Sequence, residues 1–296
     1  MSGVPQAVTN AISPRGRGLW GNALRSLSRN RAALAGTFIL ACMLAAVIFA
    51  PALSPYAYDF ADFGKISQAP ALSDGHLFGT DAVGRDLFVR TLYGGRISLM
   101  VGLVSTLVSL LIGIGYGATA GYIGGRIDGV MMRIVDILYA MPFMFFVILL
   151  MVVFGRNLFL IFVAIGAISW LDMARIVRGQ TLSLKHREFV EAAQAYGVST
   201  VNIIRRHIVP NLMGVVVVYV TLTIPRVILV ESFLSFLGLG VQEPLTSWGA
   251  LVNEGAQELE SAPWMLIFPA GFLAVTLFCF NFIGDGLRDA LDPRDR

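Results

Sequence analysis

The chain has 296 residues, of which 56% are hydrophobic and only 14% charged, with a formal net charge of +3 and a mean hydropathy of +0.73. A water-soluble domain carries about 25% charged residues, so a soluble globular fold is excluded, as are disordered, collagen-like and disulfide-framework classes. Two cysteines and three histidines are too few for a disulfide framework or a metal cluster, and Cys42 and Cys279, both in apolar runs, read as small buried hydrophobes.

About thirty polar residues, rich in Gly, Ser and Arg, precede the first apolar run, which is itself too long for the core of a cleavable signal. Residues 19–31 suit an amphipathic helix lying on the inner membrane face. A spanning helix needs about 20 predominantly apolar residues. Charge-poor windows predict six spans, at about 33–53, 97–121, 132–154, 158–177, 212–235 and 265–284. The expected fold class is therefore all-α integral membrane, with a short turn at Gly155-Arg156-Asn157 between the third and fourth spans. Pro142, Pro225 and Pro269 fall inside spans and are expected to kink them.

An even number of spans puts both termini on one side. With the termini in the cytoplasm, sixteen of the 22 Lys and Arg residues lie inside. Five lie outside (Lys65, Arg85, Arg90, Arg96 and Arg156), and Arg226 lies within a span. That asymmetry fits the positive-inside rule. The long connections, where function is expected, are 54–96 and 236–264 outside and 178–210 inside.

The chain has two lysines, Lys65 and Lys185, and neither completes the glycine-rich Gly-Lys-Ser/Thr turn of a phosphate-binding loop. No catalytic Ser/His/Asp set or paired carboxylates are evident, and no cofactor is expected on this chain. If it takes part in active transport, another subunit supplies the energy. Gly113, Gly117, Gly121 and Gly125 share one helix face. That spacing allows close backbone approach in lipid, either within the chain or at a seam between subunits. Asp136, Arg226 and Glu231 are ionisable residues within spans. Such residues face protein or water, so they are candidates for a wet pathway or for interhelical polar contacts, with Arg133 one turn from Asp136 as a possible partner.

The strongest local signal lies in the long inner loop. Residues 188–197 read as a short helix of good formers. Glu188 and Glu191 stand in its first turns, where negative charge suits the helix dipole. Gly197 is a natural stop, and Pro210 suits the first turn of the next helix. Ala192 and Ala193, flanked by Phe189 and Tyr196, make a low-bulk face able to dock closely into a partner's groove.

Glu191-Ala192-Ala193, three residues, Gly197, nine residues and then His207-Ile208-Val209-Pro210 resembles the EAA loop of permease subunits in bacterial ABC importers. The family pattern ends Ile-x-Leu-Pro, and here His207 and Val209 stand at the Ile and Leu positions. The runs 76–81, 84–86, 95–99 and 284–293 are similar to the second permease of peptide and nickel importers. Residues 141–146 and 231–240 are closest to the C-type permease of the oligopeptide importers.

The resemblance implies a type I importer permease in a bacterial inner membrane. It implies a second homologous permease, two ATPase subunits below and a periplasmic peptide-binding protein that docks on 54–96 and 236–264. It also implies that Glu188, Glu191, Ala192, Ala193, Gly197 and Pro210 belong to a coupling helix seated on an ATPase. The expected organisation is a cytoplasmic segment at 1–31 and a first span with periplasmic loop at 32–96. The transporter domain follows at 97–285, with its EAA loop at 188–210, and a cytoplasmic tail at 286–296. The expected cargo is oligopeptide. A same-family importer of dipeptides, nickel, glutathione or another small solute is the alternative. An autonomous channel or ion-driven transporter using Asp136, Arg226 and Glu231 is a third reading, and the basic inner loop argues against it.

Overall fold

The computed structural model describes residues 27–291 other than Arg156. The proposed amphipathic helix at 19–31 falls mostly outside the described residues. So do Arg15, Arg17, Arg25, Arg156, Arg294 and Arg296. Among the described residues the chain is helical, with only two isolated β-bridges, Ala71 to His76 and Thr80 to Asp86.

The helices are α1 (Arg31–Ile48), α2 (Ala50–Leu53), α3 (Leu87–Ile123), α4 (Gly125–Ala140), α5 (Phe143–Phe154), α6 (Leu158–Leu184), α7 (Glu188–Ala195), α8 (Thr200–Ile203), α9 (Val209–Phe236), α10 (Trp248–Gln257) and α11 (Trp264–Leu291). Five are long and apolar enough to cross a membrane, and six spans result if α4 and α5 count as one broken span. At about 1.5 Å per residue, the 37-residue α3 is far longer than a roughly 30 Å hydrocarbon core. Its first turns, with Arg90 and Arg96, therefore extend the span predicted at 97–121.

The third span, predicted at 132–154 with a kink at Pro142, is broken there. The chain bends by 81° between α4 and α5. Met141 is extended (φ −74°, ψ 133°) and Pro142 opens α5. Proline has no N–H for the helix ladder and drives its predecessor out of the helical region. Pro225 and Pro269, by contrast, sit inside α9 and α11.

The most extensive helix pairing is α3 against α6, and the glycines explain it. A Cβ on Gly117 would run into the carbonyl oxygen of Ala174 and lie 2.9 Å from Val177 Cβ. At Gly113 it would meet Met173, and at Gly121 it would stand 2.8 Å from Arg178 O. The glycine face thus packs within the chain. Gly125 is the exception: α3 ends at Ile123, both Gly124 and Gly125 have positive φ, and nothing lies within 4 Å of a Cβ on Gly125. It belongs to the turn into α4 and not to the packing face.

One core cluster joins α3, α5, α6 and α9 through Val101, Val147, Met151, Ile161 and Val227. A second gathers Ala118, Met173, Val177, Val190, Ile203 and Ile208 beneath α7. Large apolar side chains such as Phe145, Val152 and Phe278 face outward, as expected where the surroundings are lipid or another apolar subunit. Cys279 is buried, but Cys42 is exposed on α1, which corrects its expected burial.

Candidate functional site

At the end of the bundle where α3 and α6 finish, the chain presents α7. Glu188 and Glu191 stand in its first turn. Its end is a Schellman motif: the Gly197 N–H donates to the Gln194 carbonyl at 2.9 Å, and the Val198 N–H to the Ala193 carbonyl at 3.1 Å. Gly197 takes φ +74°, which glycine adopts without a Cβ penalty.

The low-bulk face is split by the fold. Val190 and Ala193 turn inward onto the second core cluster. Glu188, Phe189, Glu191, Ala192 and Tyr196 face out, with Tyr196 89% exposed. Of the Ala192-Ala193 pair, the outward surface therefore keeps Ala192, with Ala195 also exposed, between two aromatics and with the glutamates beside it. The Gln194 amide donates to the Tyr122 hydroxyl at 3.0 Å, tying α7 to the last turn of α3. Pro210 lies in the first turn of α9, as its position suggested.

The three intramembrane ionisable residues go to different places. Asp136 pairs with Arg175 at 2.8 Å, a residue 39 positions away, and not with Arg133. The Arg175 guanidinium also lies 4.4 Å from the centre of the Tyr139 ring. Arg226 donates to Asp172 at 2.7 Å and lines a cavity of about 300 Å³ between α4, α6 and α9, together with Tyr139, Ser169, Asp172, Tyr219 and Thr223. Glu231 is fully buried and is not among the residues that line this cavity. It accepts from Ser98 at 3.1 Å and from Ser235 at 2.7 Å. Ser98 in turn accepts from the Trp248 N–H at 3.2 Å, so Glu231 joins α3, α9 and α10.

At the opposite end, the 76–86 run, singled out in the sequence only by its likeness to peptide and nickel importers, folds into a polar knot. The His76 imidazole meets Asp86 at 2.8 Å, while Asp86 caps α3 by accepting from Val89 N–H at 2.8 Å. Asp81 accepts from Arg85 Nε at 2.6 Å, and Arg85 reaches Glu243 at 2.8 Å. Arg90 is fully buried and donates from Nη2 to both carboxylate oxygens of Glu254 at 3.1 Å. Burial pushes the Glu254 carboxyl up, against the pull of Arg90 and Arg85. Arg96 donates to the carbonyls of Val47 and Ile48 at 2.7 Å each, closing the C-terminal end of α1 as basic side chains do. These contacts lock segment 54–86 and α10 onto the spans. Removing one partner of a buried ion pair costs about 3 kcal/mol. Arg90→Ala is therefore expected to lower the melting temperature of the detergent-solubilised protein by several degrees, whereas Glu260→Ala, at an exposed position, leaves it within a degree.

A bundle of apolar helices long enough to cross a membrane, with a cavity of mixed lining between them and a short helix displayed at one end, fits an integral membrane transport component. Residues 90–296 match the family described as binding-protein-dependent transport system inner membrane component, and residues 18–70 match the N-terminal TM domain of oligopeptide transport permease C. The chain belongs to this family of inner-membrane transport components.

It is 63% identical over 285 residues to the oligopeptide transport system permease protein OppC of Escherichia coli strain K12, covering 96% of this chain and 94% of that protein. It is 47% identical to OppC of Bacillus subtilis, covering 96% and 93%, and 48% identical to the dipeptide permease DppC of Bacillus subtilis, covering 93% and 86%. A solved structure of the MetNI methionine ABC transporter, in an inward-facing conformation, superposes with a TM-score of 0.57 at 19% identity, over 69% of this chain and 96% of that one. The fold is that of a type I ABC importer permease, and the chain is a multi-pass inner-membrane protein.

Proposed function

We propose that this chain is one of two permease subunits of an ATP-driven oligopeptide importer, forming half of the translocation pathway. The observation that carries this reading is the 63% identity to an oligopeptide permease across 96% of the chain. The second permease, two ATPase subunits and a periplasmic peptide-binding protein complete the assembly, and both termini lie in the cytoplasm. The binding protein docks on 54–96 and 236–264, and ATP closes the ATPase pair. Helix α7, with Glu188, Glu191, Ala192, Ala193 and Gly197, carries that movement to the spans.

Two physical features support this assignment of α7. Its outward aromatics are too exposed to stabilise this chain alone, and exposed apolar side chains rimmed by charge mark protein contacts. Its inward side is anchored through Val190, Ala193 and the Gln194–Tyr122 bond, so a push on α7 reaches α3. The chain itself performs no chemical step.

Uptake of labelled tri- to pentapeptides by cells with and without the gene tests the cargo. Deletion is expected to abolish uptake and the intact gene to restore it. Undiminished uptake in cells without another peptide system would move the cargo to a different small solute. The identity to a dipeptide permease makes dipeptides the first competitor to measure beside them.

A further inference from the structure

We propose that Arg226 and Asp172 form a peptide-terminus subsite, in which the Arg226 guanidinium takes the C-terminal carboxylate of a peptide in transit and Asp172 holds the guanidinium in place. This deepens the importer reading given above and rests on it.

The placement of Arg226 carries the inference. It sits in α9 beside the buried residues Pro225, Val227 and Ile228, yet its side chain is 65% exposed while Asp172 is 22% exposed. A charge at that depth must face water or protein, not lipid, and the space in front of it is the cavity between α4, α6 and α9. Two of the other hydrophilic groups there are spent within their own helices. The Thr223 hydroxyl donates to the Tyr219 carbonyl at 2.8 Å and the Ser169 hydroxyl to the Ile165 carbonyl at 2.8 Å. A guanidinium has five N–H donors; Asp172 takes one, from Nη1, the Tyr139 hydroxyl is a second side-chain partner, and the fork keeps donors for an incoming carboxylate.

Comparison with the other arginines sharpens the point. Arg178 is closed in two 2.6 Å bonds to Asp128, and Arg90 is fully buried against Glu254. Arg226 alone among these three is held by a single carboxylate contact and opens onto a cavity. The Asp136–Arg175 pair continues the same row of alternating charge across α4, α6 and α9.

The chemistry of the cargo fits. A pathway that passes many sequences must grip what all peptides share, and the α-carboxylate is the strongest such group. It matches the planar guanidinium fork in charge and geometry. Because Asp172 already neutralises Arg226, the empty site carries no net charge, and the entering carboxylate joins Asp172 on the remaining guanidinium donors, its attraction to Arg226 partly offset by the neighbouring Asp172 charge. That keeps binding weak enough for release, as passage requires. A volume of about 300 Å³ is at the small end of ligand sites and suits a peptide terminus, not a whole peptide.

The test uses the complete importer with its binding protein in proteoliposomes. Trialanine and its C-terminal amide are compared as peptide moved per ATP hydrolysed, with loading of the binding protein by each measured separately. The intact importer is expected to move the free acid about tenfold better than the amide, the worth of one charge-assisted hydrogen bond. Arg226→Gln is expected to erase most of that preference and Arg226→Lys to keep part of it. An equal loss for both peptides, an unchanged preference, or separation of the two permeases during purification of Arg226→Gln would overturn the subsite, the last by assigning Arg226 to the subunit seam. An intact importer that hydrolyses ATP in response to its loaded binding protein yet moves neither peptide would instead sink the cargo reading on which the subsite rests.

Discussion

Glu191→Arg combined with Gly197→Arg is expected to reduce peptide uptake at least about tenfold, with the ATPase subunits no longer answering to the loaded binding protein. Both side chains would point away from this chain's own core: Glu191 is exposed, and nothing lies within 4 Å of a Cβ on Gly197. The bundle is therefore expected to remain folded. The intrachain cost is the left-handed backbone at Gly197, φ +74°, which an L side chain occupies at about 1 kcal/mol.

The remaining effect falls on whatever seats against α7. Two added arginine side chains, one of them in place of an acid, beside Ala192 and the nine-tenths exposed Tyr196, obstruct a close contact and leave Glu188 as the remaining acid on that edge. A central contact of that kind is worth about 2 kcal/mol or more. Three quantities decide the matter: uptake, ATP hydrolysis stimulated by the binding protein, and co-purification of the ATPases. Undiminished uptake would end the assignment of α7 as the coupling helix. Loss of all three together with loss of the chain itself from the membrane would point to misfolding, and Glu191→Gln, which leaves the backbone untouched, would then be the variant to compare.

Gly117→Leu is the substitution expected to damage the fold most. The α3–α6 contact is the most extensive in the chain, and at Gly117 the two backbones approach so closely that even a methyl group meets the Ala174 carbonyl and Val177. Lipid tails are as apolar as leucine, so close packing holds membrane helices together more than hydrophobic exclusion does. Forcing the helices apart costs about 3 kcal/mol and disturbs the partners of α6 downstream, including the Arg178–Asp128 and Arg226–Asp172 pairs.

Gly115→Leu is the control. It lies two residues away on the same helix, where nothing stands within 4 Å of an added Cβ, and it gains the same helix propensity, up to about 1 kcal/mol. The expected result is a sharp fall in the amount and melting temperature of folded Gly117→Leu protein in membranes, with Gly115→Leu at or above the unsubstituted level. Equal accumulation of the two would show that the seam is looser than the structure has it.

The sequence by itself determined the features that depend on neighbours in the chain. Apolar run lengths located the spans because a lipid core demands about twenty residues with every backbone group bonded internally. The helix at 188–195 and its stop at Gly197 followed from good formers ended by a residue that tolerates positive φ. The four-residue glycine spacing announced a close approach of helices, and Gly113, Gly117 and Gly121 make it.

Tertiary structure alone decided which helix fills that face, since spacing shows a flat surface and not its partner. It alone turned Pro142 into an 81° break while Pro225 and Pro269 remain inside continuous helices. Proline removes a hydrogen bond in every case, and packing around the helix sets whether the chain then bends. It divided the Ala192-Ala193 pair between the surface and the core, a matter of rotation about the axis of α7.

Charge pairing was the least legible from the chain order. Arg133 was the nearest candidate for Asp136, but the partner is Arg175. Arg226 finds Asp172 at 54 residues' separation, and Arg90 finds Glu254 at 164. An apolar environment obliges each buried charge to find an opposite charge or, as Glu231 does, hydrogen-bond donors, which the sequence could state. The choice among distant partners is made by how α3, α4, α6, α9 and α10 stack, and only the folded chain contains that information.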